Sequence, residues 1–208
     1  MRISKHLHSC LLVDEQEKTI LIDPGVFTYQ EKALDINKLE KLDYMLITHE
    51  HPDHMHMPFV QELLVKFPNV KIITNNTIAT QLSKENITAT YEGDSIVSAI
   101  KAPHEKLWDK EPPDHVIFTL FNKFTHAGDS LHFAANSEII ALGIQAPWGS
   151  TTDAVNFALG LHPKVIIPIH DWMWKDEFRQ TMYQRLAEFF KTKGIDFKTP
   201  EAGDVMEV

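Results

Sequence analysis

The stretch Thr48-His49-Glu50-His51-Pro52-Asp53-His54 says most about the fold, because its His-x-His-x-Asp-His pattern gathers three imidazoles and a carboxylate within six residues. Imidazole and carboxylate are ligands for divalent ions such as Zn²⁺, Mn²⁺ and Fe²⁺. Residues two apart in an extended segment point the same way, so His49 and His51 can converge on one ion. A turn that begins at Pro52 can then direct Asp53 and His54 towards a second ion. The stretch therefore predicts half of a two-metal site, placed directly after the apolar run 44–47.

The composition favours a globular protein with a small-molecule substrate. The 208 residues are 43% hydrophobic, which is enough for a packed core, and we expect one domain spanning residues 1–208. The formal net charge of −9 argues against nucleic acid as a partner, because phosphate binding needs clustered Lys and Arg. A small anionic substrate stays compatible with this charge, since bound divalent ions would offset part of it locally.

The sequence predicts neither export nor membrane insertion. The apolar run 11–13 is too short for the core of a signal peptide, and no run approaches the length of a membrane span. Cys10 is the only cysteine, so an internal disulfide is impossible. We therefore expect a cytoplasmic protein with no membrane partner, and we leave open that it forms a homo-oligomer.

Apolar runs alternate with helical patterns along the chain, which predicts an α/β protein whose sheets are covered by helices. The predicted strands lie at residues 2–13, 18–22, 43–48, 70–74, 96–102, 116–121, 124–126, 139–145 and 165–169, with a closing extended segment at 195–208. The predicted helices lie at residues 58–67, 76–82, 150–161 and 177–193.

Polar residues of the metal-ligand type follow five of these strands. They are Asp23, His49, His104, Asp129 and His170. Loops gather at the edge of a sheet where strands end, and binding sites are commonly built there. If these strands end on the same side of the fold, five separate segments converge on one place.

Five motifs resemble those of the metallo-β-lactamase superfamily and, within it, the L-ascorbate-6-phosphate lactonase-like subgroup. They are LIDP at 21–24, ITHEHPDH at 47–54, APH at 102–104, THAGDS at 125–130 and VIIPIH at 165–170. The resemblance implies an α/β fold of four layers, an αββα sandwich, with the metal site at one edge of the two sheets.

The resemblance also implies two divalent ions, Zn²⁺ or Mn²⁺, and a role for each candidate residue. The seven implied metal ligands are His49, His51 and His104 for the first ion, Asp53, His54 and His170 for the second, and Asp129 as a bridge between them. Asp23 would be a buried support that orients the loop of residues 48–54, called the metal loop below. Asp53 or Asp129 would act in catalysis by accepting a hydrogen bond from a hydroxide that the two metals hold.

These residues together predict a metal-dependent hydrolase that opens a lactone or cleaves a related small ester or amide. A small-molecule phosphodiesterase of the same superfamily and a non-catalytic metal-binding protein are the alternatives. A redox di-iron protein fits less well, because the redox members of the superfamily usually carry Glu at the position of His51 and are fused to a flavin domain.

Several residues near the motifs have more than one interpretation. His8, Trp148 and Trp172 are possible substrate-pocket residues, with a histidine satisfied by backbone and tryptophans that pack the core as the alternatives. Asp171 is interpreted as a carboxylate that begins a helix, and His115 as a surface or local packing residue.

Overall fold

Two six-stranded sheets form the middle of the structure, a computed structural model that describes all residues from 1 to 208. The first sheet contains, in spatial order, β12 (Val205–Glu207), β1 (Arg2–Lys5), β2 (Leu11–Glu15), β3 (Lys18–Ile22), β4 (Tyr44–Leu46) and β5 (Lys71–Ile73). The second contains β11 (Asp196–Phe197), β10 (Val165–Ile169), β9 (Ile139–Gly143), β8 (Phe124–His126), β7 (Val116–Leu120) and β6 (Val97–Lys101).

The helices form the outer layers. They are α1 (Val26–Gln30), α2 (Met57–Lys66), α3 (Asn76–Lys84), α4 (Thr151–Leu161) and α5 (Asp176–Lys191), with a short 3-10 helix at Ile36–Lys38. Buried residues of α2 and α3 share an apolar cluster with the first sheet, and those of α4 and α5 share one with the second. The predicted αββα sandwich is therefore confirmed. None of the helices combines the length and the apolarity needed to cross a membrane.

Each central strand divides its side chains between two apolar clusters. Ile20 and Ile22 of β3 lie in the cluster between the sheets, whereas Leu21 lies in the cluster with α2 and α3. In β9, Ala141 lies between the sheets and Ile140 packs with α4 and α5. Successive side chains of a strand point to opposite faces, so a strand covered on both faces reads as a continuous apolar run.

The parallel strand pairs bring the candidate ligands to one edge of each sheet. β3 and β4 pair in parallel, so Asp23 and the loop that begins at Thr48 leave the first sheet together. β8, β9 and β10 are also parallel, so Asp129 and His170 leave the second sheet on a common side. The topology thus carries residues distant in sequence to the same region.

The structure differs from the sequence prediction near both ends of the chain. Residues 2–13 form two strands rather than one, because Leu7 and His8 turn the chain with left-handed φ angles of 71° and 50°. The Cys10 carbonyl accepts a hydrogen bond from the backbone of His6 at 2.7 Å and closes this turn. Such turns usually contain Gly or Asn, so the sequence carried no signal for this one. The closing segment 195–208 supplies β11 to one sheet and β12 to the other.

Phe118 of β7 is fully buried between the two sheets, which makes its stability contribution testable. The substitution Phe118→Ala should lower the free energy of unfolding by about 3–5 kcal/mol, because it leaves a cavity in the core. The same change at Phe178, which is 52% exposed on α5, should cost less than about 1 kcal/mol. Urea denaturation followed by circular dichroism measures both, and equal losses would contradict the burial of Phe118 between the sheets.

Candidate metal centre

The buried carboxylate of Asp23 holds the loop that runs from Thr48 to His54. Its Oδ1 accepts a hydrogen bond from the Thr48 backbone N–H at 2.8 Å, and its Oδ2 accepts one from the Thr48 hydroxyl at 2.9 Å. Nδ1 of His54 also donates to Oδ2, at 2.7 Å. Because Nδ1 is directed at Asp23, Nε2 of His54 faces the site. Asp23 therefore lies where a support for the metal loop is expected.

The residues after Asp23 pack directly against the backbone of the same loop. The Val26 N–H donates to the Pro52 carbonyl at 2.8 Å, and the His56 N–H donates to the Pro24 carbonyl at 3.0 Å. A Cβ atom at Gly25 would lie 1.8 Å from the carbonyl oxygen of Asp53. Only glycine allows the two backbones to approach this closely.

Two groups of side chains converge at this edge of the sheets, and within each group the donor atoms all lie within 4.8 Å of one another. The first group is His49, His51, His104 and Asp129, and the second is His8, Asp53, His54 and His170. The structure thus brings together all seven predicted ligands and adds His8. Among these eight residues only His51 and Asp53 are partly exposed, so they mark the side of the site that opens to solvent.

The carboxylate of Asp129 faces both groups. Its Oδ1 lies 3.1 Å from Nε2 of His54, in the second group. Its Oδ2 lies 3.4 Å from Nε2 of His104 and 3.3 Å from Nε2 of His170, one from each group. The resemblance implies that Asp129 is a bridging ligand, and the structure places its carboxylate between the two groups.

The orientation of the buried rings leaves donor atoms aimed into the site. His104 and His170 donate through Nδ1 to the carbonyl oxygens of Glu105 and Gln145. Their Nε2 atoms, like Oδ1 of Asp129, are buried and have no hydrogen-bond partner. Buried polar atoms without partners are rare, and these atoms share one location. The residues present therefore fit divalent cations that accept nitrogen and oxygen ligands.

The electrostatics of the site favour added positive charge. Burial alone would raise the pKa of Asp129, but the rings of His170 and His54 hold it well below its usual range. Burial would likewise raise the pKa of Asp53, and His54 and His8 lower it below its ordinary value. For His54 burial would lower the pKa, whereas Asp129 and Asp23 raise it well above the usual value. The carboxylates stay ionised and attract cations.

Two buried histidines outside the predicted ligand set hold the loop of Asp129. Nε2 of His115 accepts a hydrogen bond from the Asp129 backbone N–H at 3.0 Å, and Nδ1 of His126 accepts one from the Gly128 N–H at 3.2 Å. Burial lowers the pKa of His115 to about 4, so its ring stays neutral and can accept. His115 is therefore not a surface residue. It precedes β7, so a search for polar residues that follow strands misses it.

Two of the three possible pocket residues contact the candidate ligands. Nε2 of His8 donates to Oδ2 of Asp53 at 3.0 Å, and the indole of Trp148 donates to Asp129 at 3.0 Å. Trp172 lies farther out, where its ring packs against Phe27 at a centroid distance of 6.3 Å. Phe27 in turn packs edge-on against His8, so Trp172 borders the second group indirectly.

Asp171 does not begin a helix, contrary to the sequence interpretation. Helix α5 starts at Asp176, and Asp171 is buried against the Lys5 ammonium at 2.6 Å and the Tyr183 hydroxyl. Lys5 precedes the turn of His8, and Asp171 follows His170 in the chain. This ion pair therefore connects two segments that carry candidate ligands, and it crosses from the first sheet to the second.

A sequence profile for a family described as a beta-lactamase superfamily domain matches residues 2–170. The chain belongs to the metallo-β-lactamase superfamily. Among the relatives of this chain, Protein Rv0786c of Mycobacterium tuberculosis is 27% identical in an alignment of 205 positions that covers 92% of this chain and 94% of that protein. A UPF0173 metal-dependent hydrolase of a Geobacillus species (strain WCH70) is 30% identical in an alignment of 203 positions that covers 82% of this chain and 85% of the relative.

Among solved structures, the metallo-β-lactamase fold of this chain is similar to that of Igni18, a metallo hydrolase from Ignicoccus hospitalis. The TM-score is 0.76, the alignment covers 100% of this chain and 98% of the other, and the sequence identity is 20%. At this identity the likeness concerns the fold. It agrees with the four-layer sandwich.

The close approach at Gly25 predicts a local response to added volume. The substitution Gly25→Ala should lower the free energy of unfolding by about 1–3 kcal/mol, because the new methyl group displaces the backbone of Asp53. In contrast, Gly160→Ala in α4 meets no atom within 4 Å and should raise it by about 0.5–1 kcal/mol. Urea denaturation gives both values. A stabilising effect at Gly25 would show that the metal loop does not rest on this residue.

The hydrogen bonds to Asp23 predict that its charge supports metal binding. The substitution Asp23→Asn should weaken metal affinity about 10- to 100-fold, because an amide has only one acceptor oxygen and cannot accept all three hydrogen bonds from Thr48 and His54. The matched Asp43→Asn, at the start of β4 and bonded to Thr19, should leave metal affinity unchanged. Calorimetric titration with Zn²⁺ compares the two variants. Equal affinities would rule out the support role of Asp23.

Proposed function

We propose that this protein is a metal-dependent hydrolase whose substrate is a small molecule. It opens a lactone or cleaves a related ester or amide. The observation that carries the proposal is the Asp129 carboxylate, which lies between two groups of mostly buried imidazole and carboxylate donors. The UPF0173 relative, at 30% identity, is described as a metal-dependent hydrolase, which supports the same reaction class.

The donor set suits two divalent ions, Zn²⁺ or Mn²⁺. We assign His49, His51 and His104 to one ion, Asp53, His54 and His170 to the other, and Asp129 to both. When bound, two such ions lower the pKa of a water molecule and polarise the carbonyl group of a substrate.

Asp53 is the residue best placed to orient the attacking water. Its side chain is 26% exposed, whereas that of Asp129 is 2% exposed, so Asp53 lies nearer to the open side. The low pKa of Asp53 keeps its carboxylate ionised, and His8 fixes one of its oxygens. An ionised carboxylate accepts a hydrogen bond from water and can orient it towards the carbonyl carbon of a substrate.

The chain needs no side-chain nucleophile for this reaction. Cys10 is buried in the apolar cluster beside α2, and burial raises the pKa of its thiol to about 12. The single, buried thiol also supports a reducing, cytoplasmic setting for the protein. Aromatic rings of Phe27 and Trp148 border the donor groups and offer apolar faces to the carbon skeleton of a substrate.

The proposal predicts that metal content and hydrolysis depend on the same residues. Asp129→Ala and His170→Asn should reduce bound metal and lower activity by more than the 10- to 100-fold typical of residues one step removed from a metal. His162→Asn is the matched control, because both histidines have left-handed backbones, which Asn tolerates, and His162 is exposed at the end of α4.

Metal analysis of the purified variants and a screen of lactones, esters and aryl phosphodiesters, after reconstitution with Zn²⁺ or Mn²⁺, measure these effects. Activity on lactones or esters that is lost in His170→Asn and kept in His162→Asn supports the proposal. Unchanged metal content in both ligand variants would reject the site, and hydrolysis of the phosphodiester alone would reject the acyl substrate.

A further inference from the structure

Trp148 is held at the tip of a tight turn beside the candidate metal centre. The turn Ala146-Pro147-Trp148-Gly149 is closed by two hydrogen bonds between the backbones of Ala146 and Gly149, each 3.3 Å long. It is followed at once by Ser150, whose side chain and that of Asp153 form a reciprocal cap at the start of α4. The backbone of Trp148 is therefore held both by the closed turn and by the helix cap that follows it.

The indole ring lies over both groups of donors. Its centroid is 5.4 Å from the ring of His170 and 6.3 Å from the ring of His104. A Cβ atom at Gly143, the last residue of β9, would lie only 3.1 Å from the Cη2 atom of Trp148. The strand thus ends in a residue whose small size leaves room for the ring.

The indole N–H is the hydrogen-bond donor to the shared carboxylate. Nε1 of Trp148 donates to Oδ2 of Asp129 at 3.0 Å. The rings of His104 and His170 also lie near this oxygen, but each donates its Nδ1 hydrogen bond to a backbone carbonyl group instead. An indole nitrogen is a donor only, so it cannot compete with the carboxylate for a metal ion. Trp148 can therefore fix the rotation of Asp129 without entering the ligand set.

We propose that Trp148 is a positioning residue for Asp129, which sets the orientation in which this carboxylate spans the two donor groups. The inference rests on the proposed function, because it concerns the same metal centre. A different role, in which the ring forms only an apolar wall for substrate, would not use the indole N–H.

Trp148→Phe separates these roles, because phenylalanine keeps an aromatic ring and removes the N–H. Calorimetric titration of the metal-free protein with Zn²⁺ should show affinity weakened about 10- to 100-fold. Trp174→Phe is the matched control, since this tryptophan packs against Phe178 away from the donors, and it should bind zinc as the wild type does. In the active enzyme, Trp148→Phe should lower kcat and leave KM nearly unchanged.

A second measurement does not depend on activity. The four tryptophans give four indole N–H signals in a ¹H–¹⁵N spectrum, and the one that disappears in Trp148→Phe belongs to Trp148. This signal should exchange slowly with solvent and should move when Zn²⁺ is added. If the Phe variant folds poorly, Gly143→Ala tests the same contact, because its methyl group would press on the Cη2 edge of the indole and shift the ring slightly, which should also weaken zinc binding.

The possible outcomes distinguish this inference from the proposed function. Wild-type zinc affinity in Trp148→Phe and Gly143→Ala, together with rapid exchange of the indole N–H, would overturn the positioning role while leaving the metal centre intact. A rise in KM with unchanged kcat and zinc affinity would also overturn it, in favour of a substrate wall. A wild-type protein that binds no zinc or manganese would overturn the proposed function, and the inference with it.

Discussion

The buried carboxylate of Asp23 is the interaction on which the metal loop depends. A carboxylate removed from water is costly unless its oxygens accept several hydrogen bonds, and here Thr48 and His54 provide three. The parallel pairing of β3 with β4 makes this possible, because it places the end of one strand beside the start of the loop. Gly25 then brings the backbone close enough to fix Asp53 as well. One sheet contact thus determines the geometry of a seven-residue loop.

The site also concentrates conformational strain and charge that the rest of the protein must offset. His8, Asp23 and His170 all have left-handed backbones, with φ angles of 50°, 49° and 63°, which are unfavourable for side chains with a Cβ atom. The carboxylates of Asp23, Asp53 and Asp129 lie among buried imidazoles, and their ion-pair partners are histidines rather than Lys or Arg. The apolar clusters between and outside the sheets hold this arrangement in place. A bound cation would offset part of the carboxylate charge.

The α/β class and the seven candidate ligands could be predicted from short-range patterns, whereas the four-layer sandwich and the role of each ligand came from the resemblance of the motifs to the superfamily. Apolar runs mark the strands, and polar residues that follow them lie at the sheet edges. The contacts of His115 and Trp148 with Asp129, and of Lys5 with Asp171, were missed because they join segments that meet only through sheet packing. No local pattern distinguishes these side chains from ordinary core residues. The break between β1 and β2 was missed for a related reason, since its left-handed turn contains no glycine.

The division of the ligands between the two sheets explains why those long-range contacts matter. The first sheet carries the loop with His49, His51, Asp53 and His54, whereas His104, Asp129 and His170 come from the second. Each group of donors therefore includes residues from both sheets, so a small shift of one sheet against the other changes the distances between donors that come from different sheets. The Lys5–Asp171 pair crosses this boundary, and the Trp148 contact fixes the one carboxylate that reaches both groups. Sheet packing, and not the ligand motif alone, determines the spacing of the donors.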